Sequence, residues 1–287
     1  VGGLYQLRTI LLALVLATRA TAGEFTGCAD YLYWEGPDWG SGLRTGIGYQ
    51  ACCWEITWNY TTFGADTASH WVGQSDQDGD IHVWLYEDLD YQVHDFQLAR
   101  TFEAGVFDFE LFGGFRWGKI DAFINREEIT WEYNYGGGVL FPNGARIDQF
   151  ISETDSYGVR FGGEARCYLT SHLSVFGRGA VAGMQSTTRH VWRDAWYPNV
   201  SGYPRDYHGY PNDDYGDPIR LSYLPETDHH ANHSFDLTTG LTWQRRWLEL
   251  TTGYEWHTWA NAMQTDIPGD FHDVILEGLF ARVKVQY

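Results

Sequence analysis

Apolar and polar residues alternate with a period of two along much of this chain, which places successive side chains on opposite faces of a β-strand. In "CWEITWNYT" Trp54, Ile56, Trp58 and Tyr60 oppose Glu55, Thr57, Asn59 and Thr61. "VFDFELFGGFRWGK" sets Phe107, Phe109, Leu111, Phe115 and Trp117 against Asp108, Glu110, Gly114 and Arg116, and "YGVRFGGEARCYL" sets Tyr157, Val159 and Phe161 against Arg160, Glu164 and Arg166. "FDLTTGLTWQ" and "WLELTTGYEWHTW" repeat the pattern, with Asp236, Glu249, Glu255 and His257 on their polar faces. The last stretch, "LFARVKVQY", carries Leu279, Ala281, Val283, Val285 and Tyr287 on one face and Arg282, Lys284 and Gln286 on the other. The pattern predicts about ten strands (range 8–12), beginning near Ala29, Leu43, Cys53, Ile81, Val106, Asp148, Leu173, Ser234, Trp247 and Asp273. Two segments alternate weakly: "LSVFGRGAVAGMQ", where Phe176 and Arg178 share a face, and Leu85 to Arg100, whose acids obscure which face is outer.

Links between strands are of two kinds. Short ones near Ala51, Glu103, Ser171 and Arg246 alternate with long ones, roughly Gly64 to Asp80, Arg126 to Ile147, Arg193 to Asp228 and Met263 to His272. One rim of tight turns and one of long loops fits an all-β fold, a single antiparallel up-and-down transmembrane β-barrel with short periplasmic turns and long extracellular loops. A soluble sandwich also alternates. The barrel is favoured because aromatics (Trp54, Tyr60, Trp117, Trp243, Tyr254, Trp256) recur at the ends of the apolar faces, as interfacial girdles do, while glycines interleave with ions on the other face. Register is then strict, since a cation at the lipid midplane costs about 2–4 kcal/mol.

Aromatics make up 17% of residues and there are 33 Gly, so the mean hydropathy is only −0.38 although hydrophobic residues reach 44%. This palette is β-rich. A formal net charge of −19 with only 19 Lys and Arg argues against a nucleic-acid partner. The start, with Arg8, an apolar run from Ile10 to Ala17 and small residues at Ala20 and Ala22, reads as a secretory signal peptide over residues 1–22, leaving 23–287 as the barrel. Residues Cys28, Cys52, Cys53 and Cys167 fit no zinc spacing, and their pairing stays open.

Four stretches carry a family resemblance: "GLRTGIGYQACCWEITWNYT", "FELFGGFRWGKID", "YGVRFGGEARCYLTSHLSVFGRGAVAG", and "FDLTTGLTWQRRWLELTTGYEWHTWAN" with the terminal "GLFARVKVQY". In order and spacing the chain resembles the pore-forming outer-membrane proteins related to the Legionella major outer-membrane protein. The resemblance implies an outer-membrane β-barrel with pore function and no catalytic residues to carry over. Two features depart from it: a terminal Tyr287 where Phe is the more usual ending, and the loop "WYPNVSGYPRDYHGYPNDDYGDP".

The expected lumen-lining residues are Arg44, Glu55, Asp108, Glu110, Arg116, Arg160, Glu164, Arg166, Asp236, Glu249, Glu255, Arg282 and Lys284. They either filter ions and small solutes or interlock as a plug. The expected partners are outer-membrane lipid, small solutes or ions, and the barrel-assembly machinery, met by the C-terminal strand through Leu279 to Tyr287. No cofactor is expected. Asp76, Asp78, Asp80 and Glu87 approach the spacing of a calcium loop, but Gly79 is misplaced for its turn. His229 and His233 would share a face and pair on a transition metal; a polar loop is the plainer reading. A hydrolase would have to use His257 with Ser174 or Ser234, and neither serine has a nucleophile motif, so no enzyme activity is expected. The Tyr-rich stretch from Tyr197 to Tyr223 suits a closed barrel that binds a partner through its loops.

Overall fold

The computed structural model describes residues 24–35, 39–74, 80–133, 140–198, 220–264 and 271–286. The segment read as a signal peptide, Asp76, Asp78, the tyrosines between 199 and 219, and Tyr287 lie outside the described residues. Among the described residues ten antiparallel strands close into one barrel, each paired with its chain neighbours and β1 sealed against β10. They are β1 (Glu24–Glu35), β2 (Trp39–Ala51), β3 (Trp54–Gln74), β4 (Asp80–Ala104), β5 (Phe107–Tyr133), β6 (Leu140–Tyr168), β7 (Leu173–Pro198), β8 (Arg220–Arg245), β9 (Leu248–Gln264) and β10 (Phe271–Gln286). Closure leaves no unpaired sheet edge inside the lipid, which a membrane span of strands requires.

The short rim is made of tight turns with left-handed residues: Cys52 (φ 58°), Gly105 (φ 69°) and Arg246 (φ 56°). Cys52 and Cys53 form the β2–β3 turn rather than lying on a strand, and all four cysteines are free thiols. On the other rim the strands run further than the alternation suggests. β3 continues to Gln74, β5 to Tyr133 and β7 to Pro198, so much of what reads as long loop is strand. The reason is length: about 9–11 tilted residues cross the hydrocarbon, whereas β6 has 29. The surplus stands outside the membrane, where both strand faces meet water or protein and the alternation loses its sign.

Within the membrane band the outward face is apolar, with Leu279 57% and Val283 46% exposed. Exposed Trp54, Phe107, Trp243 and Trp247 ring the short-turn side, while Tyr33, Trp39, Trp117 and Tyr157 ring the other. Tyr33 and Trp39 stack at 5.0 Å across the tip of the β1–β2 hairpin. Such aromatics sit at the water–lipid boundaries.

Candidate functional site

The inward face holds two layers. On the short-turn side lies a belt of ion pairs, set up first by register and then tied across the lumen. Cross-strand neighbours place Asp30 between Arg44 and Arg282, Asp95 beside Arg116, and Asp236 beside His257. Each is a charge-complementary pair on one sheet face, the arrangement that stabilises antiparallel strands. Arg282 binds both oxygens of Asp30 at 2.8 Å. Arg44 donates to Asp30 at 3.1 Å and reaches across to Glu255 of β9 with two bonds of 2.8 Å.

Arg116 and Asp236 are the centre of the belt. Nε and Nη2 of Arg116 hold Asp95 at 2.7 and 2.8 Å, its Nη1 and Nη2 hold Asp236 at 3.0 and 2.8 Å, and Nη1 also donates to Ser234 at 2.8 Å. The planar guanidinium fork makes two bidentate contacts at once, which a lysine in its place would lack. Arg160 adds a bond of 2.7 Å to Asp236. His257 joins the halves, its Nδ1 2.9 Å from Asp236 and its Nε2 3.4 Å from Glu255.

Nearer the turns the pairs loosen. Arg166 donates to Glu164 at 3.0 Å and Glu249 at 3.4 Å, Arg178 stands 3.8 Å from Glu110 and 3.6 Å from Glu164, and Lys284 is 3.7 Å from Glu55. These groups surround a cavity of about 150 Å3 that reaches up to the belt. A water takes up about 30 Å3 of liquid, so a polar space of this size has room for several.

Above the belt the lumen is apolar. Trp34 and Trp259 are fully buried, 0% exposed, and pack with Leu32, Phe63, Tyr91 and Leu276. Tyr91 meets Trp259 edge-on at 5.7 Å and accepts its Nε1–H at 3.2 Å, while Trp34 lies 5.6 Å from Phe63 and 4.8 Å from His257. Room for the indole comes from Gly118 on β5, where a Cβ would stand 2.3 Å from Trp259 Cη2. The layers touch through cation–π contacts, Arg116 5.9 Å from the Trp259 ring and Arg44 5.8 Å from that of Trp34.

Nearly all the residues expected to face the lumen border this cavity; Asp108 instead accepts a 2.7 Å hydrogen bond from Tyr168 near the turns. The alternation did not single out Asp30, Asp95, Arg178 or the apolar layer. In "CADYLYWE" both faces carry aromatic or aliphatic residues, so inward Leu32 and Trp34 look like outward Tyr31 and Tyr33. Neighbouring charges of opposite sign on paired strands would have exposed Asp30 and Asp95. Along Leu85 to Arg100 the odd positions from Leu89 to Ala99 point inward, and Asp90 and Gln92 are exposed beyond the lipid band.

The other candidates are dispersed. Ser234 accepts from Arg116, both nitrogens of His257 have acidic partners, and Ser174 is buried at the start of β7. His229 is exposed, with Nδ1 3.0 Å from Thr187, and His233 is likewise exposed. Among the described residues no group of three or more potential metal ligands gathers, and Glu87 lies in β4 away from any such group.

No curated protein matches the chain. A major outer membrane protein of Thermus thermophilus is similar over 93% of this chain and 100% of its own, at 11% identity and a TM-score of 0.37. The outer membrane protease OmpT of Escherichia coli is similar over 93% of each chain, at 7% identity and a TM-score of 0.45. The monoaromatic hydrocarbon channel CymD covers 97% of this chain and 92% of its own at 6% identity and a TM-score of 0.23. Likeness this distant carries no argument about activity. The family model described as the Legionella pneumophila major outer membrane protein precursor matches residues 17–287, and with that match the chain belongs to this family of outer-membrane β-barrels.

Proposed function

We propose that the protein is a small gated pore for ions and small polar solutes, shut at rest by the ion-paired belt and the apolar layer above it. One observation supports the pore: the cavity below the belt is bordered by side chains of both charges, several of them loosely paired, where a barrel needing only filler would pack apolar groups. Arg160 Nη1 borders that space without a hydrogen-bond partner among the described residues, its closest acidic oxygen, on Asp95, being 3.8 Å away. A buried donor of that kind costs about 1–3 kcal/mol unless water or an anion completes its shell. Opening requires Arg44 to leave Glu255, Arg116 to leave Asp236, and the Trp34 and Trp259 rings to move aside. Family membership adds the expectation of a pore, and the C-terminal strand is the surface offered to the assembly machinery. We assign no catalytic step: His257, the available base, is taken at both nitrogens.

The apolar layer favours a second reading, a permanently closed barrel whose extracellular loops bind a partner. Conductance of the refolded protein in a planar lipid bilayer separates the two. A gated pore gives discrete, salt-dependent steps that become more frequent when Asp236→Asn cuts the belt. A folded barrel silent in wild type, Asp236→Asn and Trp259→Ala would be the closed scaffold.

A further inference from the structure

On β4 the alternation turns a cation toward the lipid. Arg100 lies exposed on the outward face, opposite Trp54 of β3 on one side and Leu111 of β5 on the other. Trp54 opens β3 directly after the β2–β3 turn, so the guanidinium stands at the short-turn boundary, in the aromatic ring to which exposed Trp54 and Phe107 belong. Its Cζ is 5.3 Å from the centre of the Trp54 ring and 5.1 Å from that of Phe102. Both rings are exposed on the same face, and they hold the cation from two sides.

This guanidinium lacks an acidic partner. Each arginine of the belt and of the cavity below it meets at least one carboxylate. Among the described residues the Arg100 side chain takes part in no hydrogen bond or ion pair. Away from the turn the outward face continues with apolar, exposed Leu98 and Phe96 on β4 and Ile56 on β3, the last opposite Leu98. A charge bordered by apolar side chains toward the bilayer centre finds its counter-charge in the headgroup layer.

From this combination we propose that Arg100, Trp54 and Phe102 form a binding site for a phospholipid of the periplasmic leaflet, with the guanidinium on its phosphate and an acyl chain along Leu98, Ile56 and Phe96. Charge complementarity selects the headgroup, because phosphate is the anionic group of that boundary layer and the planar fork can meet two of its oxygens at once. The flanking rings hold the fork at headgroup level, which lowers the cost of ordering it on binding. Free phosphate offers the same oxygens but no chain for the apolar face, so the membrane lipid is the occupant. The site lies on the outer wall, apart from the proposed conduction path, and its test involves no current.

The folded protein in a non-ionic detergent is titrated with dimyristoylphosphatidylglycerol or with dimyristoylglycerol, which has the same chains and no phosphate, and retained lipid is read by native mass spectrometry. Phosphatidylglycerol should be retained, while dimyristoylglycerol stays at the level of non-specific carry-over. Inorganic phosphate at equal concentration should not displace the lipid. Arg100→Gln should weaken retention by about tenfold, a charge-assisted contact having become a neutral one. Arg245→Gln, which removes another exposed cation at the short-turn rim, should leave it unchanged. The Trp54→Leu/Phe102→Leu double variant keeps the charge and removes the rings; it should weaken retention by about threefold, and it serves as the check should Arg100→Gln not fold. Equal retention of the two lipids, displacement by inorganic phosphate, unchanged retention in folded Arg100→Gln or in the double variant, or an equal loss in Arg245→Gln would overturn the assignment.

Discussion

The belt of Asp30, Arg44, Asp95, Arg116, Asp236 and Glu255 and the layer of Trp34, Phe63, Tyr91 and Trp259 lie one above the other in the same lumen, yet they fill it by opposite means. The belt is directional. Its groups are held by short bonds to named oxygens, and removing one partner strands charges out of water. The aromatic layer is held by area and shape, so losing one ring leaves a void but no unpaired charge. The belt therefore sets where the opposing walls stand, and the layer sets how tightly the space between them is filled. Both stand across the proposed path, and substitutions tell which of them limits opening.

The largest effect is expected at Asp236, which meets Arg116, Arg160 and His257. Asp236→Asn should cost about 3–5 kcal/mol, the cost of breaking a buried pair, read as a lower urea midpoint for unfolding from lipid vesicles. If the belt is the gate, the same variant conducts more often than wild type. Trp259→Ala removes a fully buried ring and should cost about 3–5 kcal/mol less whatever the neighbours recover by closing in, with Gly118 as the site of collapse. Increased conductance in Trp259→Ala alone would move the gate to the apolar layer. On the outer face, Val283→Lys should cost about 2–4 kcal/mol in the same assay if Val283 lies near the bilayer midplane, falling toward zero if it lies at the interface. The smallest effect belongs to Lys284, whose nearest acid is 3.7 Å away: Lys284→Gln should change stability by about 0–1 kcal/mol while shifting ion selectivity toward cations.

What could be read from sequence follows the same division. Alternation marks a strand as half in lipid and half in a polar lumen, so β5, β6, β8, β9 and β10 were legible, and with them the inward direction of Arg116, Arg160, Asp236, Glu255 and Arg282. The pattern fails where both faces share one chemistry. Along β1 the lumen is apolar at Leu32 and Trp34 and so is the lipid at Tyr31 and Tyr33, and the period disappears. Beyond the lipid band the failure is reversed: Asp88, Asp90 and Gln92 face outward into water, and an apolar lumen at Leu89 and Tyr91 lies behind them. The partners of each charge were not legible either. Arg44 meets Glu255 from 211 positions away, and only barrel closure brings β2 opposite β9.

Closure also bears on how the barrel forms. Asp30 receives one cation from its own hairpin, Arg44 on β2, and the other from Arg282, 252 positions along the chain. Until β10 docks, Asp30 has one of its two guanidinium partners and β1 presents an open edge. An unfinished seam leaves that carboxylate without Arg282, and a misaligned closing strand brings Val283 or Ala281 rather than a guanidinium to it. Proofreading of the final register is built into a single acidic side chain.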